Sequence, residues 1–183
     1  MARRRIGDGD GLMPPLEPAA PGDKAVSRPE GFLRVSAALR DAGHAAAPRW
    51  LEVAARTSQE AADALGVALG QIAKSVVFRR RADDAAVLVI ASGDRRVDEQ
   101  RLAALVGAVA RADAGFVKSR TGFAIGGVSP VGLLGAPTLL LDRELQRFAE
   151  IWAAAGHPNG VFALTPLQLQ QLTGAPWADV VSA

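Results

Sequence analysis

"GQIAKSVVFRRRADDAAVLVIASGD", residues 70–94, decides the fold. Two runs rich in β-branched and aromatic residues, 71–80 and 85–93, read as strands. The charged stretch RADDA between them suits a hairpin turn. The second run is almost continuously apolar, which predicts the more deeply buried strand. The first carries one lysine, Lys74, inside an apolar context. Side chains alternate along a strand, so Lys74 shares a face with Ile72, Val76 and Phe78. A lone ammonium is costly to bury, so Lys74 either reaches water from the strand end or faces a polar pocket. In a pocket it could hold a phosphate or carboxylate as a point charge. With a depressed pKa it could act as a base or amine nucleophile. The strand alone leaves these alternatives open.

Working outward, residues 1–28 contain Pro14, Pro15, Pro18 and Pro21 with little periodicity, and read as a flexible arm. Residues 29–183 read as one domain. RPEGFLRVSAALRDAG predicts a first helix with Leu33, Ala37 and Leu39 on a loose apolar stripe. PRWLEVAA predicts a short strand. TSQEAADALG predicts a helix capped at Thr57 or Ser58, with Glu60 early and Gly66 as its stop. VDEQRLAALVG is amphipathic and helical. PTLLLDREL passes from strand into a helix that runs on through QRFAEIWAAAG. GVFALT reads as the last strand, and PLQLQQLTG as the last helix, with Pro166 in its first turn and Gly174 past its end. Interspersed strands and helices predict an α/β or α+β domain around one mixed sheet.

With 183 residues, 49 % of them hydrophobic, the chain can bury a sizeable core. No apolar stretch reaches the ~18 residues of a membrane helix. The basic N-terminus lacks the apolar segment of a secretory signal, so a cytoplasmic location is expected. The absence of cysteine excludes disulfides, thiolate metal sites and a thiol nucleophile. The pI of 9.6 exaggerates the basicity, since the net charge is only +2. Such a balance, with no reader helix, does not suit a protein that grips duplex DNA by charge. The chain has 21 Lys and Arg residues, yet only Lys24, Lys74 and Lys118 are lysines.

TGFAIGGVSPVGLLG, residues 121–135, is the second chemical feature. Gly126 and Gly127 permit positive φ and the close approach of backbone amides to a ligand, and Pro130 stiffens the far side. The loop could give N–H donors to an oxyanion or phosphate, or be an ordinary tight turn. Its glycine spacing is neither a P-loop nor a dinucleotide fingerprint. His44 reads as a surface residue. His157 lies in a loop before the last strand and could line a site or simply occupy the loop. No histidine or carboxylate clustering suggests a metal. Ser129 is not in a nucleophile elbow. Trp50, Trp152 and Trp177 suit core or edge packing better than base stacking.

Taken in order, GQIAKSVVFR, the strand ending ASGD, TGFAIGGVSPVG, LLLDREL and FALTPLQLQQLTG resemble the YbaK/ProX family. Its members are free-standing relatives of the editing domain of bacterial prolyl-tRNA synthetase. The resemblance covers roughly residues 30–182. It implies a mixed-sheet domain that hydrolyses the ester of a tRNA mischarged with a small amino acid of the Cys, Ala or Ser class, on tRNA-Pro. It implies Lys74 as the central functional residue, with Gly126, Gly127, Ser129 and Pro130 in a substrate-binding loop. It also implies the mischarged 3′ end and prolyl-tRNA synthetase as partners, and no cofactor. Cysteinyl-specific members carry an aspartate where this chain reads Phe162. Alanyl-specific members carry a histidine nearby, which His157 matches only if the loop is shifted. The alternative is a silent module that uses the same pocket to bind tRNA or a synthetase.

Overall fold

The computed structural model describes residues 27–182. The arm read over residues 1–28 falls, but for its last two residues, outside them. The described chain is a mixed sheet flanked by helices, as the strand and helix pattern predicts. Its main sheet runs β1 (Arg49–Trp50), β8 (Gly160–Leu164), β7 (Ile151–Ala154), β2 (Ile72–Arg80), β3 (Ala86–Ser92), β6 (Thr138–Asp142) and β9 (Trp177–Ala178). A further strand, β5 (Val109–Arg111), pairs with β2. The β7–β2, β3–β6 and β6–β9 pairs are parallel; β2–β3 is the expected antiparallel hairpin. Two short strands, β4 (Arg96–Val97) and β10 (Val181–Ser182), form a separate ribbon.

All seven residues of β3 are buried, because strands flank it on both edges and apolar clusters cover both faces. On one face, Leu88 and Ile90 meet helix α1 (Glu30–Asp41), Val117 of α4 (Ala114–Thr121) and Leu169 of α5 (Pro166–Thr173). On the other, Val87, Val89 and Ala91 meet Leu102 of α3 (Glu99–Val106). Burying one such aliphatic side chain is worth about 1.5–3 kcal/mol. The second face also carries a separate cluster, in which Ala61 and Ala62 of α2 (Ser58–Leu65) cover Ile72, Trp152 and Val161.

Helix boundaries follow local chemistry. The Thr57 hydroxyl accepts from Glu60 N while the Glu60 carboxylate accepts from Thr57 N, and Gly66 ends α2 at φ 67°. Thr165 and Gln168 form the same box at α5, with Pro166 next and Gly174 at φ 65° closing it. In α1 the buried residues are Phe32, Val35 and Leu39, while Leu33 is half exposed. The true stripe follows i, i+3, i+7 and starts one residue earlier than the sequence reading had it.

Three expectations are corrected. QRFAEIWAAAG is not helical: a 3₁₀ turn at Arg143–Arg147 leads into β7. Ile151, Trp152 and Ala153 are buried between β2 and β8, so sheet pairing overrides the helical preference of the alanines. PRWLEVAA pairs as a strand only at Arg49–Trp50, after which Leu51 N and Ala55 N donate to Asn159 O and Pro158 O. GVFALT is not the last strand, since β9 and β10 follow α5. Strand β5 and helix α4, the latter capped by Asp113, also went unread.

Candidate functional site

Strand β2 changes partner along one edge. Ile72 and Ala73 run beside Trp152 and Ala153 of β7, whereas Phe78–Arg80 run beside β5. Between them, Lys74–Val77 have β3 on one side and no strand on the other. In an antiparallel pair, alternate residues direct both main-chain groups to the partner. Arg80 N donates to Ala85 O at 2.8 Å, and Arg81 N donates to Ala108 O at 2.8 Å. This parity turns the N–H and C=O groups of Ser75 and Val77 away from β3, into the opening.

The glycine loop faces that opening, and two unequal cavities meet there. The larger, about 720 Å³, extends along Val76 and Phe78 to Arg96, Glu99 and Arg111. The smaller, about 200 Å³, extends between β2 and β7 to Arg56, Ala61, Trp152 and Val161. Lys74, Ser75, Ile125, Gly126 and Val128 line both. They form the wall through which one ligand could span the two spaces.

Lys74 sits on the second face of the sheet, between Ile72 in the α2 cluster and Val76 and Phe78 in the α3 cluster. It occupies the seam between two apolar patches, which explains a charge in this strand. Its Nζ donates to Gly93 O at 3.4 Å and to Arg95 O. Burial holds the Lys74 pKa below its usual value, against the opposing pull of the Asp94 and Asp142 carboxylates.

Those carboxylates belong to a network under the turn that receives Lys74. Asp142 is fully buried and accepts from Ser92 N and Glu144 N, each at 3.0 Å; burial raises its pKa. Asp94 accepts from Arg147 Nη2 at 2.7 Å, and that bond depresses its pKa. The turn carbonyls are thereby fixed before any ligand arrives.

In the loop, Gly126 has φ 88°, a conformation that favours glycine. The Gly127 amide donates to Ala124 O at 3.0 Å and is therefore engaged in the turn itself. A Cβ at Gly127 would lie 2.8 Å from both His157 Cα and His157 N, so the loop seats directly on the His157 backbone. Ser129 is buried, and its Oγ accepts from Val131 N at 3.3 Å; Pro130 is buried beside it. Neither residue lines either of these two cavities, so both shape the loop from behind.

The His157 ring stacks on Trp50, with centroids 4.9 Å apart, and its Nδ1 accepts from Asn159 N at 3.1 Å. It supports the loop through its backbone and lines neither cavity. His44 is half-buried, not on the surface: Nε2 lies 2.9 Å from Ala163 O, and the ring meets the edge of Phe162. Phe162 is fully buried in the core. Sequence reading missed Ser75 and Trp152 as cavity residues. The one available signal was a second polar residue directly after Lys74 in an apolar strand.

No group of three His, Cys, Asp or Glu residues that could hold a metal occurs among the described residues. No described helix is long and apolar enough to cross a membrane.

Comparison with known proteins agrees with this architecture. Residues 52–172 match the family described as "Aminoacyl-tRNA editing domain". "Uncharacterized protein YwhH" of Bacillus subtilis (strain 168) is 37 % identical over 131 residues, which is 70 % of this chain and 83 % of YwhH. A "Proline--tRNA ligase" of Thermoanaerobacter sp. (strain X514) is 30 % identical over 108 residues, 57 % of this chain but only 19 % of the ligase. A crystal structure named "a putative trans-editing enzyme for prolyl tRNA synthetase" superposes with a TM-score of 0.79 at 39 % identity, covering 86 % of this chain and all of that one. The chain belongs to the aminoacyl-tRNA editing domain family.

Proposed function

We propose that the protein is a trans-editing deacylase that hydrolyses the ester joining a small amino acid to the 3′ end of a mischarged tRNA, with tRNA-Pro as the expected carrier. The observation that carries this reading is the pair of unequal cavities sharing the wall of Lys74, Ser75 and Gly126. The larger takes the terminal nucleoside and the smaller takes the aminoacyl side chain. The ester then lies at the wall, where Lys74 is located.

Hydrolysis needs an attacking oxygen and stabilisation of the charge that develops on the carbonyl oxygen. The Lys74 ammonium already donates to two carbonyls, and both contacts favour its charged form. It serves as a fixed positive charge that positions the nucleotide or the carbonyl, rather than as a base. The Gly127 amide is spent on Ala124, so the oxyanion donor comes from the other cavity-lining amides of the loop, with Gly126 as our assignment. A water, positioned by the neighbouring ribose hydroxyl, attacks the carbonyl carbon and gives up a proton. The carbon–oxygen ester bond breaks, and the 3′ oxygen leaves with a proton.

A panel of tRNA-Pro species charged with Ala, Ser, Cys, Thr and Pro tests the reading. Release of at least one small non-cognate amino acid, with prolyl-tRNA-Pro left intact, is expected. Binding of tRNA with no turnover on any substrate would favour the silent module instead.

A further inference from the structure

Beside the opening, β2 carries main-chain groups that no strand receives. The β7 ladder stops at Ala73, and the β5 ladder begins at Phe78. Between them, the register with β3 turns the Ser75 carbonyl and the Val77 N–H towards the opening. Among the described residues, no backbone group of a loop or turn bonds to either one. A ligand that enters must therefore satisfy them or leave them unpaired at a cost. Because β7 and β5 close both ends of the gap, it admits a compact ligand rather than an added strand. Ser75 and Val77 both line the 720 Å³ cavity. Its neighbouring walls are apolar: Val76 and Phe78 of β2, Val117 of α4, and Ile125 and Val128 of the glycine loop. Ile125 is more than half exposed, which is apolar surface that a flat ligand would cover. A planar body with a polar edge matches such a space.

We propose that this free edge of β2 reads the terminal base as adenine: Ser75 O accepts from the exocyclic amino group, and Val77 N–H donates to ring N1. The inference rests on the editing reading above and assigns how that site recognises the nucleotide. On one edge of a strand, a carbonyl and the N–H two residues on flank the intervening residue and point the same way. They offer an acceptor beside a donor. Adenine presents the complement on its Watson–Crick edge, an amino donor beside the N1 acceptor. Guanine, uracil and hypoxanthine reverse both groups, so that carbonyl meets carbonyl and N–H meets N–H. Cytosine shares the adenine order, but its single ring covers less of the apolar wall. Main-chain atoms do the reading, which is why no side chain in residues 74–77 discloses it.

The test uses 3′-alanylamino nucleosides, in which an amide replaces the ester and binding is read without turnover. Their bases are adenine, hypoxanthine and unsubstituted purine, which keeps N1 but lacks the amino group. The adenine probe is expected to bind the intact protein about tenfold or more tightly than the hypoxanthine probe, with purine between them. Replacing the Val77 main-chain amide by an ester removes the N–H and keeps the side chain. That variant should fold, as checked by thermal melting, and shrink the adenine advantage over hypoxanthine. The advantage over purine rests on Ser75 O and should remain, whereas general damage would weaken all three probes alike. A smaller adenine advantage in the wild type, a purine probe as tight as adenine, or failure of all three to bind overturns the inference. So does a folded ester variant that keeps the full preference over hypoxanthine. If that variant does not fold, the wild-type ranking decides. The editing reading survives any of these results if the turnover panel still shows a small amino acid released from tRNA-Pro.

Discussion

The Lys74 ammonium lies 3.4 Å from the carbonyl oxygen of Gly93, which ties the functional strand to the turn that ends its hairpin partner. The second acceptor, Arg95 O, is two residues further along the same turn. The carbonyls fix where Nζ sits and favour its protonated form, against the burial that holds its pKa below the usual value. Underneath, Asp142 and the Asp94–Arg147 pair hold the turn.

Lys74→Arg tests whether charge alone suffices. A guanidinium is planar and longer than an ammonium and cannot occupy the same point between the two carbonyls. Deacylation should fall at least about tenfold while thermal stability changes little, since a loss of tightly positioned electrostatic help is felt mainly in rate. Single-turnover rates beside melting curves provide the check. A rate equal to wild type would show that only charge matters.

Gly126 and Gly127 should respond differently to alanine. At Gly127 the added Cβ would meet His157 N and Cα at 2.8 Å, so backbone must move. A destabilisation of about 1–3 kcal/mol is expected, with weakened deacylation. At Gly126 the nearest atom lies 3.7 Å from the new Cβ, so the cost is chiefly that of φ 88°, about 1 kcal/mol. Chemical denaturation of the two variants should rank Gly127→Ala as the more damaging.

His157→Ala should reduce stability by about 1–2 kcal/mol through loss of the Trp50 stack and the Asn159 contact. Because the ring lines neither cavity, the change in kcat should be small beside that of any Lys74 variant. A kcat collapse without loss of stability would instead place the imidazole at the substrate.

The Asp94–Arg147 pair gives a pH signature. The Arg147 bond lowers the folded pKa of Asp94 below its ordinary 3.8. The unfolded chain then binds the proton more readily in that window, so the contribution is fully present above pH 3.8 and is lost as pH falls through the folded pKa. Both side chains are about one-third exposed, and screening limits the contribution to less than about 1 kcal/mol. Urea unfolding at a series of acidic pH values should show a shallower decline for Asp94→Asn than for wild type.

Local signals were legible where chemistry is local. The β-branched run disclosed β2, the RADDA stretch disclosed its hairpin, and Thr57 with Glu60 disclosed the start of α2. Lys74 and the glycine loop stood out because a charge in an apolar strand and clustered glycines are unusual. What stayed hidden depends on partners distant in the chain. IWAA reads as helix until β2 and β8 are known to flank it. The opening beside Lys74 exists because β2 trades β7 for β5, a fact of topology with no trace in residues 72–80. Ser75 and Trp152 come to line one cavity only through this exchange. Arg120 and Lys118 hid α4, whose polar surface gives almost no apolar stripe.

The most direct test of the central claim is the single-turnover deacylation rate of Lys74→Ala on the best small-amino-acid tRNA-Pro, with Lys74→Met beside it to retain the packing of the stem. A fall of about 10²–10³ is expected in both variants, with melting temperatures close to wild type. Rates near wild type in correctly folded Lys74→Ala would contradict it.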